Sequence, residues 1–243
     1  MAGGLVLVHG FPLDARMWDA LRAELKDAHA VHAPDLDGRG ARRDRPPSTS
    51  VDAMATQVRD MLDAEGLDQV DLGGFSMGGY VCLAFWRLYP ERVRSLLLVD
   101  TRAGADSDEG RKGRDDLAQR VSSTGPAAAA DAMVPKLLSG AAPDEMAERV
   151  RGWVMDEPVG TIVADLQALR DRPDSRPDLA GIDRPVLVLV GAEDVLTPPA
   201  ESEAMAAALP RATLRVIEGA GHLSPVERPS EVAAAVKEFL ASV

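Results

Sequence analysis

The chain has 243 residues, 46% of them hydrophobic, enough for one large α/β domain carrying an insertion and too apolar for a disordered protein. Its 39 Asp plus Glu outnumber 27 Lys plus Arg, a formal charge of -12 that argues against nucleic acid or an anionic membrane as partner. A single cysteine, Cys82, excludes an intrachain disulfide and a thiolate metal cluster, so a buried structural thiol is its expected role.

Taken from the start, Met1-Ala-Gly-Gly runs straight into an apolar stretch at 5–8, without the basic region or the apolar length of a signal peptide. No run reaches membrane-spanning length, and a cytoplasmic location is expected. Short apolar runs at 5–8, 30–33, 70–72, 95–99, 186–190 and 213–217 predict strands, and the runs of Val and Leu among them lack polar alternation, as expected for strands buried on both faces of a parallel sheet. Helical patterns at 15–25, 51–65, 79–89, 200–208 and 229–241 lie between them, with Pro229 suited to a first turn and Gly66 to a helix end. The alternation predicts a doubly wound, mostly parallel α/β sheet.

Residues 102–184 break that alternation. The stretch is Ala-rich, charged and without a convincing strand, and breaks at Gly125-Pro126, 140–143, Glu157-Pro158 and Arg172-Pro173 divide it into helices at about 107–122, 127–138, 143–156 and 159–171. It reads as a helical cap inserted into a core of 1–101 and 185–243. Such an insertion leaves the sheet at a strand's carboxyl end, where α/β sheets place their ligands.

The chemistry centres on Gly74-Phe75-Ser76-Met77-Gly78, between an apolar run and a helical pattern. A strand turning sharply into a helix exposes the hydroxyl at the turn on a strained backbone, and small neighbours let the turn close, which makes Ser76 the candidate nucleophile. A serine needs a base, and the base needs an orienting acid. His222, in a glycine-rich loop after the last strand, is the candidate base; His9, His29 and His32 read as structural or solvent-facing. Asp194, in Gly191-Ala-Glu-Asp just past another strand end, is the candidate acid, with Asp100 as runner-up and Glu193 as a solvated neighbour. Asp35 and Asp37 read as turn residues. The developing oxyanion needs preorganised N–H donors, and Met77 at the helix start offers one. Phe11, in His9-Gly10-Phe11-Pro12, offers the other, since Pro12 has no N–H.

With those residues placed, the chain closely resembles the α/β-hydrolase superfamily, through the His-Gly loop at 9–10, the Pro-Asp-Leu loop at 34–36, the elbow at 74–78, Gly-x-x-Asp at 191–194 and Gly-His at 221–222. Its length and the entry to the insertion look most like small carboxylesterases and 3-oxoadipate enol-lactonases. The resemblance implies a sheet lacking the family's first two strands, with the strand at 30–33 as an edge. The family's Asp-x-Arg-Gly-His-Gly text is here Asp35-Leu-Asp-Gly-Arg-Gly, and the nucleophile is Ser rather than the Asp of epoxide hydrolases and haloalkane dehalogenases.

The expected activity is a serine hydrolase acting on a small-molecule ester or lactone, with no cofactor and no metal. Leu13, Met133, Val134, Leu137, Trp153, Ile162, Leu196 and Leu223 are the candidate substrate pocket. A non-catalytic ligand-binding protein on the same scaffold is the competing class, and a cofactor-free haloperoxidase or C–C hydrolase uses the same three residues. The sequence assigns no oligomeric state. A carboxylate-bearing lactone needs a cation near Ser76, for which Arg102 and Arg170 are the cap-side candidates. Because Arg on an acidic chain reads as a surface ion-pair partner, neutral short to medium acyl esters are the expected substrates.

Overall fold

Runs of Val and Leu without polar alternation are stable as strands only where both faces meet apolar side chains. The computed structural model, which describes residues 4–243, gives that arrangement to the inner strands, while the edge strands at 31–32 and 212–217 are only partly buried, each having a neighbour on one side alone. The start of the core and the signal-peptide reading fall partly on residues 1–3, outside the described residues. Strands β1 (Leu5–Val8), β2 (Val31–His32), β3 (Val70–Phe75), β4 (Val93–Val99), β5 (Val186–Gly191) and β6 (Ala212–Ile217) form one sheet in the order β2-β1-β3-β4-β5-β6, with every pairing parallel. Every residue of β1, β3 and β5 is buried. β3 extends beyond the expected 70–72 because Gly73 leaves the space that Leu7 and Leu97 fill from the neighbouring strands. β2 is a two-residue edge, short enough to offer little free backbone for pairing.

The strand order fixes where a ligand can sit. From β1 the chain moves outward to β2 and then returns past β1 to β3, so the winding reverses between β1 and β3. The crevice beyond the carboxyl ends of those two strands is the place where α/β sheets hold ligands. His9-Gly10-Phe11 leaves one of those ends and Ser76 the other.

Around the sheet, α1 (Asp19–Leu25) packs on α10 (Pro229–Leu240), and α2 (Val51–Ala64) packs on α3 (Met77–Leu88). The helix expected at 15–25 is divided into a 3-10 turn, Ala15–Trp18, and α1; the Asp14 carboxylate accepts the Arg16 N–H at 2.9 Å at the start of that turn. Ser50 caps α2 by accepting the Ala53 N–H. α8 (Pro199–Ala208) lies against β5 and β6, and a one-turn helix, α9 (Ser224–Glu227), follows the His222 loop.

Between β4 and β5 the chain forms α4 (Asp108–Thr124), α5 (Ala127–Leu137), α6 (Asp144–Asp156) and α7 (Val159–Asp171). These bounds lie within two residues of the sequence expectation. α4 packs on α5 and α7, and α5 on α6. The layer is fastened to the sheet side by polar contacts. Arg39 donates to both oxygens of Asp165 at 2.7 and 2.8 Å, each side chain 1% exposed, and to the Leu13 carbonyl. Thr161 Oγ1 donates to the Gly38 carbonyl, and the Leu223 N–H to the Leu137 carbonyl. The Glu227 carboxylate accepts the N–H of Gly221 with one oxygen and that of Ser139 with the other. Among the described residues no helix is long and apolar enough to cross a membrane.

Candidate active site

Ser76 sits between β3 and α3 at φ 50° and ψ -110°, a backbone conformation that L-residues avoid. Its N–H donates to the Val99 carbonyl at 2.9 Å, and its own carbonyl accepts the Thr101 hydroxyl at 2.8 Å, so the end of β4 and the residues just past it hold the strained residue on both sides. The flanking glycines are steric requirements. A Cβ on Gly78 would run into the Val8 and His9 carbonyls, and one on Gly74 into the Gly78 carbonyl.

The His222 loop brings its ring to this turn. His222 Nε2 is 2.9 Å from Ser76 Oγ, and Nδ1 is 2.8 Å from Asp194 Oδ2. The Phe75 ring packs on the imidazole, with centroids 5.0 Å apart. His222 and Asp194 are both buried. Asp194 accepts the Leu196 and Thr197 N–H groups on Oδ1 and the Thr197 hydroxyl on Oδ2. Burial opposes its ionisation, but the hydrogen bond and charge of His222, with the Thr197 donors, outweigh that and hold the carboxyl below its ordinary value. Sequence reasoning missed Thr197, although an Asp followed three residues later by Thr is a local turn signal.

Asp100 lies apart from this chain of bonds. Its oxygens accept the Gly191 N–H and the Ser224 hydroxyl. Burial, and then the charge of Asp194, push its carboxyl well above the usual range. Glu193 is exposed. His9 is fully buried and accepts the Leu36 N–H on Nε2, and burial with the nearby Arg39 charge lowers its pKa, so it joins two loops as a neutral ring. Asp35 accepts two backbone N–H groups, Ala15 and Ala41, and Asp37 pairs with Arg42, as turn residues do. Cys82 is buried, and burial pushes its thiol up. The Phe11 and Met77 N–H groups donate to no protein acceptor among the described residues. Met77 is the first residue of α3, where helix N–H groups have no internal partner.

A cavity of about 500 Å³ opens onto Ser76 and His222. Of the residues expected to form the pocket, Met133 and Leu196 line it, together with Phe11. Leu13, Val134, Leu137, Trp153, Ile162 and Leu223 lie outside its walls, which corrects that part of the sequence expectation. Leu13, Val134, Leu137, Ile162 and Leu223 are consumed by core packing, and Trp153 sits under the Arg149 guanidinium. The α5 surface facing the cavity is instead Ala132, Met133 and Lys136. Tyr80, Leu117 and Leu169 complete the apolar wall, and Arg102, Arg114 and Arg120 add cations. Arg170 faces away, paired with Asp115 and Asp171. The cavity face of α4, Gly110, Gly113, Arg114, Leu117 and Arg120, follows helical spacing and is legible once α4 is known to face the site. No group of three or more His, Cys, Asp or Glu with metal-binding geometry occurs among the described residues.

The chain resembles known proteins over most of its length. The model of the alpha/beta hydrolase family matches residues 5–235. A thermophilic esterase from Thermogutta terrifontis, solved with malate bound, superposes with a TM-score of 0.96 at 40% identity, over 100% of this chain and 90% of that one. A pimeloyl-[acyl-carrier protein] methyl ester esterase of Nitrosomonas europaea is 28% identical over 93% of this chain and 91% of its own length. The 3-oxoadipate enol-lactonase 2 of Acinetobacter baylyi is 26% identical over 97% of this chain and 88% of its own. A parallel sheet that reverses between β1 and β3, a strained serine at that reversal and a family match over nearly its full length agree: the chain belongs to the α/β hydrolase family.

Proposed function

We propose that the protein hydrolyses small to medium carboxylic esters through an acyl-enzyme on Ser76, with residues 102–184 serving as a cap on a core of 1–101 and 185–243. One observation carries this reading: an unbroken hydrogen-bonded path from Ser76 Oγ through the His222 ring to Asp194, opening onto the cavity. In the first step Oγ attacks the ester carbonyl as its proton passes to His222 Nε2, and the ionised Asp194 stabilises the imidazolium through Nδ1–H. The carbonyl oxygen gains negative charge and is received by the Phe11 and Met77 N–H groups. Collapse of the tetrahedral intermediate breaks the C–O bond, and the alcohol leaves with the proton from Nε2. Water, deprotonated by the same nitrogen, then cleaves the acyl-enzyme and regenerates Ser76.

Met133, Leu196, Leu117 and Leu169 give the acyl or alcohol part an apolar surface. The relatives named above are called esterases or a lactonase, which supports ester chemistry here over a binding role. The test is labelling with a fluorophosphonate probe, followed by peptide mass spectrometry, beside turnover of p-nitrophenyl butyrate. A single adduct on Ser76, absent together with turnover in Ser76→Ala, is expected. Undiminished turnover in that variant overturns the assignment.

A further inference from the structure

The wall of the cavity beside Ser76 carries more positive charge than its neighbours neutralise. Asp106, which is buried, accepts from three guanidiniums: Arg102 Nη2 at 2.7 Å, Arg114 Nε at 3.1 Å and Arg172 Nη2 at 2.8 Å. Burial opposes its ionisation, but Arg172 and Arg114 outweigh that and hold the carboxyl at about 2, so it carries one full negative charge against three positive ones. The Arg102 and Arg114 side chains are only 27% and 23% exposed, so water screens the surplus poorly. The Arg102 Nε–H is itself buried and has no acceptor among the described residues. Two more cavity residues, Arg120 and Lys136, have no carboxylate partner among the described residues; Arg120 reaches only the Ala128 carbonyl, at 3.5 Å. Against these four cations the cavity walls offer Asp106 and the exposed Asp116, and the exposed Glu201, outside the walls, adds its charge near Arg102, which leaves the cations in excess by one.

The position of this charge relates it to the chemistry. Arg102 directly follows Thr101, whose hydroxyl holds the Ser76 carbonyl, and it lies against the hydroxyl of Tyr80, one helical turn after Ser76. A substrate group reaching Arg102 is therefore still attached to an ester at Ser76. We propose that this wall is a carboxylate subsite: Arg102 and Arg114 bind a carboxylate carried by the ester substrate, and Arg120 and Lys136 draw it in from the rim. The proposal rests on Ser76 being the nucleophile. It replaces the neutral substrate expected from the chain's charge of -12, because net charge acts over distances that salt screens, whereas the subsite acts at contact.

The experiment compares p-nitrophenyl pentanoate with p-nitrophenyl hemiglutarate, which has the same number of acyl carbons and a terminal carboxylate, using the full chain at low and high salt. The kcat/KM ratio of hemiglutarate to pentanoate is expected to be about tenfold or more at low salt and to shrink as salt is added. Arg102→Gln is expected to reduce the ratio by about tenfold. Because Arg102 belongs to the Asp106 cluster, a second variant, Arg120→Gln/Lys136→Gln, tests the rim with that cluster intact and is expected to flatten the salt dependence. A ratio of one or below in the unaltered protein, or a ratio and salt slope unmoved in both variants, overturns the subsite. If pentanoate is turned over and Ser76 is labelled while the ratio fails, the subsite alone falls. If neither occurs, the nucleophile assignment falls and takes the subsite with it.

Discussion

Asp100 Oδ2 accepts the Ser224 hydroxyl at 2.5 Å, so a second buried carboxyl holds the loop that carries His222 without bonding its ring. Its other oxygen takes the Gly191 N–H from the end of β5. Burial pushes the Asp100 carboxyl up, whereas Asp194 is held low and bonded to Nδ1, so the two buried carboxyls differ in role: Asp100 braces the loop. Asparagine reproduces the brace, since its amide can serve both partners and it tolerates the φ of 45° that Asp100 adopts. Asp194→Asn is expected to lower kcat by about 10³ to 10⁴, because the amide stabilises the wrong tautomer. Asp100→Asn is expected to cost less than about tenfold. Steady-state kinetics of the two variants checks the ranking.

Acid and alkali act unequally on the fold. Burial pushes the Glu157 carboxyl up to about 8 against the attraction of Arg39, and burial likewise raises Asp165 despite its bond to Arg39. The folded chain therefore keeps a proton on Glu157 that the unfolded chain has released. That contribution is complete below the unfolded value of about 4.3 and is lost as pH rises from there to about 8. Asp106 behaves oppositely, but its contribution disappears only as pH falls towards about 2. Thermal midpoints are expected to decline from pH 5 to pH 8, and Glu157→Gln to flatten part of that decline, by up to a few kcal/mol in unfolding free energy.

The buried pair Arg39 and Asp165 joins the loop after β2 to α7. Arg39→Ala leaves a carboxylate without its counter-charge and is expected to cost about 3 to 5 kcal/mol in chemical denaturation. Replacing both partners, Arg39→Met with Asp165→Leu, is expected to recover most of the loss, because the cost lies in the orphaned charge more than in the missing bond.

Backbone crowding at the Ser76 turn yields a fourth expectation. A Cβ at Gly78 meets carbonyls of β1's end rather than a movable side chain, so Gly78→Ala is expected to destabilise by about 3 kcal/mol and to depress turnover by displacing the Phe11 loop. Gly152, inside α6, has open space around its Cβ position, and Gly152→Ala is expected to stabilise by up to about 1 kcal/mol. Thermal unfolding of the two variants, with turnover measured beside it, separates the cases.

The elements were legible where local chemistry decides them. Short apolar runs marked all six strands, and glycines beside Ser76 and His222 marked turns that only small residues close. The pocket was much less legible. Met133, Val134 and Leu137 are all apolar on one helix, but periodicity does not tell which face of α5 meets the cavity and which meets the helices behind it. The α4 arginines carried no signal in the sequence for the same reason, because charge on a helix is informative only once its neighbours are known. Arg102 was recognisable from its place just past a strand end, while Arg170 at the end of α7 turned outward to its ion pairs.

Glu227 links the loop bearing His222 to Ser139, two residues past the end of α5, one carboxylate oxygen to each. A swing of α5 wide enough to admit substrate would pull the imidazole off the serine. With those contacts kept, a displacement of α5 is felt at the imidazole, so the cap layer and the histidine loop behave as tethered parts rather than as independent ones.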